Sequence, residues 1–287
     1  MRESDFDGAW AIARQTRAAR DPATRDDPSL PYHRRWLWDG RPLHGRDVLV
    51  RCYHGLGDTI QFARYLPRLA ARTASLTVEA QPRLIPLLAT MDGGGTLVPF
   101  DPAHPRKAAY DIEITELDEA LRIPPPALAA PYLRATPAVL PRGTVGLCHR
   151  AGDWDTERSV PAAHLAPLCR IAPCISLVPE PEGLAVLNPQ GCPFDIAVTA
   201  SLIAGCTLVI TVDTMIAHLA GALGKPTWLL LKAEPDWRWD PRQRRSPWYP
   251  TMRLYAQPRP GAWPPVIERV ARDLAAWRGV QTERRAR

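Results

Sequence analysis

At 287 residues and 46% hydrophobic composition, the chain is long enough for one large domain or two of ordinary size, with real cores. No apolar run nears the ~18 residues of a membrane span, and the acidic, polar start at 1–7 does not read as a secretory leader, so a cytoplasmic location is expected. The net charge of +6 comes mostly from arginine, since Lys107, Lys225 and Lys232 are the lysines. Arginine matches phosphate geometry, which favours an anionic partner. Zinc-finger spacing, an RNP-like motif and a dense basic stripe are all absent, which argues against nucleic acid. The six cysteines form no C-x-x-C pair. Cys52, Cys148, Cys174 and Cys206 fall in or beside predicted strands, so reduced, buried thiols are expected.

Residues 1–35 read as an Arg-rich N-terminal extension, with a helix over 7–20 and a linker over 21–31. The stretch W-L-W-D-G-R-P-L-H-G at 36–45 is a turn-rich edge with Trp36 and Trp38 packed down. A first strand is predicted over 47–52, and H-G-L-G-D-T-I-Q-F at 54–62 opens a helix. Gly55 and Gly57 there would allow a tight turn and close approach to a ligand. The pattern is G-x-G-x-x-I, without the third glycine of a dinucleotide fingerprint, although Glu79 falls where a ribose-binding acid would lie. Asp58 to Gln61 has capping-box spacing, which makes Asp58 a predicted N-cap. Strands follow over 76–80, 96–100 and 110–114, with helices over 82–89 and 117–121. The Pro-rich 124–126 and 131–141 mark a boundary, dividing the chain into 36–140, 141–262 and a C-terminal 263–287.

The second half opens with a strand over 144–148 and a polar loop over 149–159. Asp153 and Asp155 in that loop have a D-x-D form. Two acids on a loop without a third ligand are usually solvated, so no metal is expected. A helix over 162–171, a strand over 175–178, a Pro- and Gly-rich loop over 179–194 and a helix over 195–204 lead to the densest pattern in the chain. There a β-branched strand at 207–212 runs into Asp213 and Thr214, two N-cap side chains, and a helix over 215–223 stopped by Gly224 and Pro226. A strand over 227–231 completes a parallel β-α-β unit. Ligands on such sheets bind beyond the carboxyl ends of the strands, and a helix N-terminus there suits a phosphate. Thr214 and His218, four apart, share one face; the alternatives are that Asp213 only caps and His218 fills a core niche. Trp237 and Trp239, with the arginine between them, could stack on a nucleobase, while packing under a long loop suits Trp248 and Tyr249 at least as well. A helix over 264–278 and a disordered basic tail over 283–287 end the chain.

The motif V-D-T-x-x-A-H-L-A-G-A-L-G-K-P at 212–226 resembles the donor site of the heptosyltransferase-like glycosyltransferases of family 9. It resembles still more the glycosyltransferase-like domain that follows tetratricopeptide repeats in bacterial proteins. W-D-G-x-x-L-x-G at 38–45, G-L-G-D-T-I-Q-F-x-R-Y at 55–65, Arg158-Ser159, D-W-R-W at 236–239 and S-P-W-Y-P-T-M-R-L at 246–254 extend the likeness over 36–278. It implies an α/β protein with two Rossmann-like domains facing a cleft, the GT-B fold. It further implies an inverting, metal-independent transfer from a nucleotide-sugar substrate, with no cofactor. Asp213, Thr214, Met215 and His218 would bind the donor around its diphosphate, Arg158 would reach its phosphates, and Asp58 would be the catalytic base. Tyr53-His54 departs from the Glu-Gln usual in the relatives, which leaves the acceptor contacts open. A glycan, a lipid-linked or a protein acceptor, peripheral membrane association and any oligomeric state remain compatible. Two other readings stand beside this one: a catalytically silent nucleotide-sugar-binding module and an NAD(P)-dependent oxidoreductase.

Overall fold

In the computed structural model, the described residues are 5–286 apart from 26, 28, 32, 33, 105 and 129, with the side chains beyond 279 also left aside. The chain divides into two compact units, Met1–Arg134 and Ala135–Arg287.

In unit 1, α1 (Phe6–Ala18) starts where Asp5 accepts a hydrogen bond from the Gly8 amide. The strands β1 (Asp47–Arg51), β2 (Ser75–Ala80), β3 (Thr96–Pro99) and β4 (Tyr110–Glu113) form one parallel sheet in the order β3-β2-β1-β4. Strand alternation sorts its two faces. Val48, Val50, Leu76, Val78 and Ile112 are buried in an apolar core. Leu49, Arg51, Glu79, Asp111 and Glu113 occupy the other phase. The helices α2 (Leu56–Phe62), α3 (Leu66–Ala70), α4 (Ile85–Leu88) and α5 (Leu117–Leu121) are short, and 3-10 turns lead into α3, α4 and α5. The N-terminal extension is anchored to α5. The buried Trp10 indole donates to Asp118 at 3.0 Å, and Arg17 grips Glu119 with two hydrogen bonds of 2.7 and 2.8 Å.

Unit 2 contains β5 (Val145–Cys148), α6 (Ala162–Ile171), β6 (Cys174–Ser176), α7 (Ile196–Gly205), β7 (Leu208–Val212), α8 (Met215–Ala222), β8 (Thr227–Leu231), β9 (Met252–Ala256) and α9 (Trp263–Ala286). Its sheet is parallel throughout, in the order β6-β5-β7-β8-β9. Every residue of β7 and β8 is buried, as expected of strands covered on both faces. Gly224 closes α8 at φ 68°, the left-handed conformation that a helix stop needs.

Three differences from the sequence reading stand out. β9 was not expected; its partner is β8, reached by a long loop rather than a helix. β6 starts one residue early and ends at Ser176. α9, packed on α6 and β9, passes the expected end at 278 and runs to Ala286, through much of the stretch expected as a disordered tail; side chains there lie outside the described residues.

Candidate functional site

In both sheets the chain reverses its direction of winding beside the first strand, between β1 and β4 in unit 1 and between β5 and β7 in unit 2. The carboxyl ends of these strand pairs are where open α/β sheets bind ligands.

In unit 2 the loop after β5 and the Asp213-Thr214 junction after β7 meet at this point. Asp213 is 8% exposed, and burial pushes its carboxyl up to about 6, outweighing the indole of Trp239 and the guanidinium groups of Arg158 and Arg238, which act downward. Thr214 alone is the N-cap of α8: its hydroxyl oxygen accepts from the Ile216 amide at 3.2 Å, which corrects the expectation of two caps. The thiol of Cys148 lies 3.7 Å from the same hydroxyl. Met215, the first helical residue, is half-buried.

Arg158 is buried beside them, not extended toward solvent. It donates to the Asp213 carbonyl at 2.7 Å and to the Asp155 carbonyl at 3.3 Å, and its guanidinium carbon lies 3.8 Å from the centre of the Trp154 ring. It therefore clamps the 149–159 loop onto the end of β7. Asp155 is not simply solvated either: its carboxylate pairs with Lys232 at 3.0 Å and Arg158 at 3.5 Å, whereas Asp153 is exposed.

His218 departs from the expected convergence with Thr214. It is 5% exposed, with Nδ1 at 3.1 Å from the Tyr249 hydroxyl and its ring stacked on Trp239 at 5.7 Å. A Cβ on Gly221, one turn further along, would stand 2.4 Å from the Tyr249 ring. The glycine thus lets the 246–251 loop press its aromatic side chains onto α8. Trp239 is fully buried in this cluster, so it offers no open face for a base and that expectation fails. Trp237 keeps 40% exposure, with Arg238 over its ring at 4.4 Å and Trp248 at its edge.

Sequence reasoning passed over His149, the residue after β5. It is 2% exposed, its Nε2 lies 3.6 Å from Glu182, and burial lowers its pKa. A polar residue directly following an all-apolar strand was the available signal.

In unit 1 the β1–α2 loop carries the other candidates. Gly55 is the N-cap of α2, and Asp58 is the third helical residue, its carboxylate accepting from the Gly55 amide at 3.0 Å. The capping box therefore runs from Gly55 to Asp58, not from Asp58 to Gln61. Gly55 has φ −63°, so the loop uses its small size rather than a left-handed backbone, and Gly57 lies inside α2. His54, also in this loop, contacts Glu113 of β4 through Nε2 at 2.9 Å. Glu79 is 1% exposed and paired with Arg51 at 3.2 Å; Arg51 also holds Asp111 at 2.8 Å. A glutamate consumed in this way is not available to a ribose, and the position of the missing third glycine is Ile60, fully buried. Both features remove the dinucleotide-enzyme expectation's footing. The structure thus brings Asp213, Thr214, Met215 and Arg158 together, turns His218 and Trp239 inward, and leaves Asp58 with Gly55 and Gly57 on unit 1.

Known proteins resemble the chain in fold and over one segment of its sequence. Residues 192–247, from before α7 to the loop beyond β8, match the family described as Glycosyltransferase family 9 (heptosyltransferase). Protein FlbA of Caulobacter vibrioides is 26% identical over an alignment taking in 89% of this chain and 51% of FlbA, so the chain spans about half the length of that relative. Among solved structures, a family 9 glycosyl transferase from Veillonella parvula has a TM-score of 0.53 at 13% identity, covering 76% of this chain and 87% of its own. The iron-containing dodecameric glycosyltransferase TibC from enterotoxigenic E. coli has a TM-score of 0.53 at 17% identity, with 72% of this chain and 63% of its own covered. E. coli heptosyltransferase WaaC with ADP-2-deoxy-2-fluoro heptose has a TM-score of 0.52 at 15% identity, with 79% and 99% covered. No described helix is long and apolar enough to cross a membrane. Fold and motif converge: the chain has the paired Rossmann-like units of the GT-B glycosyltransferases and carries, over 192–247, a segment that matches family 9.

Proposed function

We propose that this chain is a glycosyltransferase, taking a sugar from a nucleotide-sugar held on unit 2 and passing it to an acceptor hydroxyl. The observation that carries the reading is the Asp213-Thr214 junction, which lies at the switch point of a parallel sheet and inside the segment matching family 9. The first amides of α8 and its dipole favour an anion at that end. Thr214 adds a hydroxyl, Met215 the first helical amide, and Asp213 a buried carboxyl beside them. Arg158, fixed on the Asp213 carbonyl, brings positive charge to the same end, where it would stabilise the departing diphosphate. That charge comes from the protein's own side chain, and the proposed transfer is metal-independent and inverting. Trp237 supplies the exposed ring for a base. The acceptor proton goes to Asp58 of the β1–α2 loop, the base nominated by the family resemblance.

WaaC was solved with ADP and with an ADP-sugar analogue, so ADP-heptose is the first donor to try. Calorimetric titration with ADP-, UDP- and GDP-sugars and with NAD tests the reading. Saturable binding of a sugar nucleotide, weakened by ~1–3 kcal/mol in Thr214→Val, is the expected result; binding of NAD alone, or of nothing, would overturn it. Transfer is then sought with glycan, lipid-linked and protein acceptors.

A further inference from the structure

At the amino ends of its strands, unit 1 holds a cavity of about 460 Å³, with Arg46, Asp47, Ser75, Arg106, Lys107 and Tyr110 on its walls. It lies at the end of the sheet opposite the β1–α2 loop. Asp47 and Ser75 are the first residues of β1 and β2, paired in register, and residues 106–109 lead into β4. The volume falls in the range of small-molecule sites.

The charged residues of the wall are Arg46, Arg106, Lys107 and Asp47, so positive charge is in excess. The Asp47 carboxylate accepts from the Ser75 hydroxyl at 2.5 Å. Among the described residues, no hydrogen bond or ion pair engages the side chains of Arg46 and Lys107. Arg106 approaches Glu79 with Nε at 3.9 Å, and Glu79 already holds Arg51 at 3.2 Å. Arg46 is kept at the rim, its guanidinium carbon 5.1 Å from the centre of the Tyr110 ring.

The backbone of 106–109 adds donors. Arg51 donates to the Arg106 carbonyl at 2.6 Å, Arg25 to the Ala108 carbonyl at 3.1 Å and Arg41 to the Ala109 carbonyl at 2.7 Å. None of these three arginines lines the cavity. In a trans peptide the N–H points opposite to the C=O. Fixing the Arg106 and Ala108 carbonyls therefore turns the Lys107 and Ala109 amides away from the arginines that hold them. Both residues belong to the cavity wall, and neither amide has a hydrogen-bond partner among the described residues. Amides presented beside cations make a concavity that attracts anions, and a guanidinium matches the oxygens of a phosphate.

We propose that this cavity binds a phosphate monoester, at a site distinct from the donor site on unit 2. A bare phosphate is far smaller than the cavity, so the phosphate carries an organic body of about the size of a sugar ring. A soluble sugar phosphate and the headgroup of phosphatidic acid share this chemistry, and experiment separates them.

Calorimetric titration of the full chain with glucose 6-phosphate, with saturating ADP present to fill the donor site, should show saturable binding. Glucose should not reproduce it, and added salt should weaken it. Arg46→Ala combined with Lys107→Ala should weaken it by ~10-fold or more, the loss expected of charge-assisted hydrogen bonds, with ADP affinity unchanged. Both residues are exposed, and circular dichroism checks that the variant folds. Arg46→Lys keeps the charge without the fork and should lose less. Sedimentation with phosphatidylcholine vesicles, with and without phosphatidic acid, identifies the source. Retention by the phosphatidic acid vesicles alone, abolished in the double variant and without glucose 6-phosphate binding, assigns the site to a lipid headgroup; the converse assigns it to a soluble ester. Binding of neither probe, equal binding of glucose, or wild-type affinity in the double variant would overturn the proposal. So would a parallel loss of ADP affinity in the double variant, because the event would then belong to the donor site. A wild type that binds no ADP would instead count against the glycosyltransferase reading, while glucose 6-phosphate and the double variant would still decide this site.

Discussion

Asp213 should make the protein less stable at neutral pH than at acid pH, and its replacement should remove that dependence. Its carboxyl titrates at about 6 in the folded chain, raised from 3.8, and the residue is only 8% exposed. Burial is the leading cause, so the charged form is the one penalised. The shift of roughly two units, at ~1.36 kcal/mol each, amounts to about 3 kcal/mol. The folded-state pKa lies above the unfolded one. The unfolded chain therefore releases this proton first, near pH 4, and the folded chain only near pH 6. The penalty is absent below that window, grows through it and is complete above it. Asp213→Asn carries no titrating group and escapes the penalty. Urea unfolding of both proteins at pH 4, 5, 6 and 7.5 measures this directly: the advantage of the asparagine variant should grow by up to about 3 kcal/mol from the first pH to the last. A difference independent of pH would refute the argument. If a diphosphate binds beside Asp213, it will favour the neutral carboxyl further. ADP affinity should then rise as pH falls through 6 in the wild type and do so less in the variant.

Four other outcomes follow from particular contacts. Arg17→Met leaves Glu119, 4% exposed, without its two-pronged partner, and should destabilise unit 1 by ~3–5 kcal/mol in urea unfolding. Gly221→Ala places a Cβ 2.4 Å from the Tyr249 ring, and should lower thermal stability by the equivalent of ~1–3 kcal/mol. Thr214→Val removes the cap of α8 and a hydroxyl of the proposed donor site together, so it should lose about 1 kcal/mol of stability and weaken ADP binding. His218→Ala should by contrast lose more stability than affinity, because its ring packs between Trp239 and Tyr249.

How much of this was legible in the sequence depends on whether a residue's role is settled by its neighbours in the chain. The β7–α8 unit was readable because a β-branched run, Thr214 and Gly224 each act locally, as strand former, cap and stop. The 162–171 and 117–121 helices matched for the same reason. β9 was not readable. Met252–Ala256 becomes a strand through its pairing with β8, and that pairing follows a loop rich in Trp and Pro whose path no local pattern fixes. Asp58 shows a subtler failure. Both Gly55-x-x-Asp58 and Asp58-x-x-Gln61 satisfy capping-box spacing, and the choice is made where the backbone turns helical. Gly55 at ψ 160° places that turn at Leu56.

His218 illustrates the limit of helical periodicity. Spacing of four places two side chains on one side of a helix, but it does not say whether that side is open. Ile216 through Ala222 are all buried, so α8 has almost no solvent face, and the approach of Tyr249 over Gly221 and of Trp239 decides what His218 meets. The pairing of His54 with Glu113 lies further still from local reading. It joins residues separated by 59 positions that meet because β1 and β4 are adjacent and parallel, with Arg51 in register with Glu113. Motif matching finds residues that relatives share; it has nothing to say about a pairing made across the sheet. Such a pairing becomes visible only when the sheet order delivers a buried carboxylate to the histidine ring.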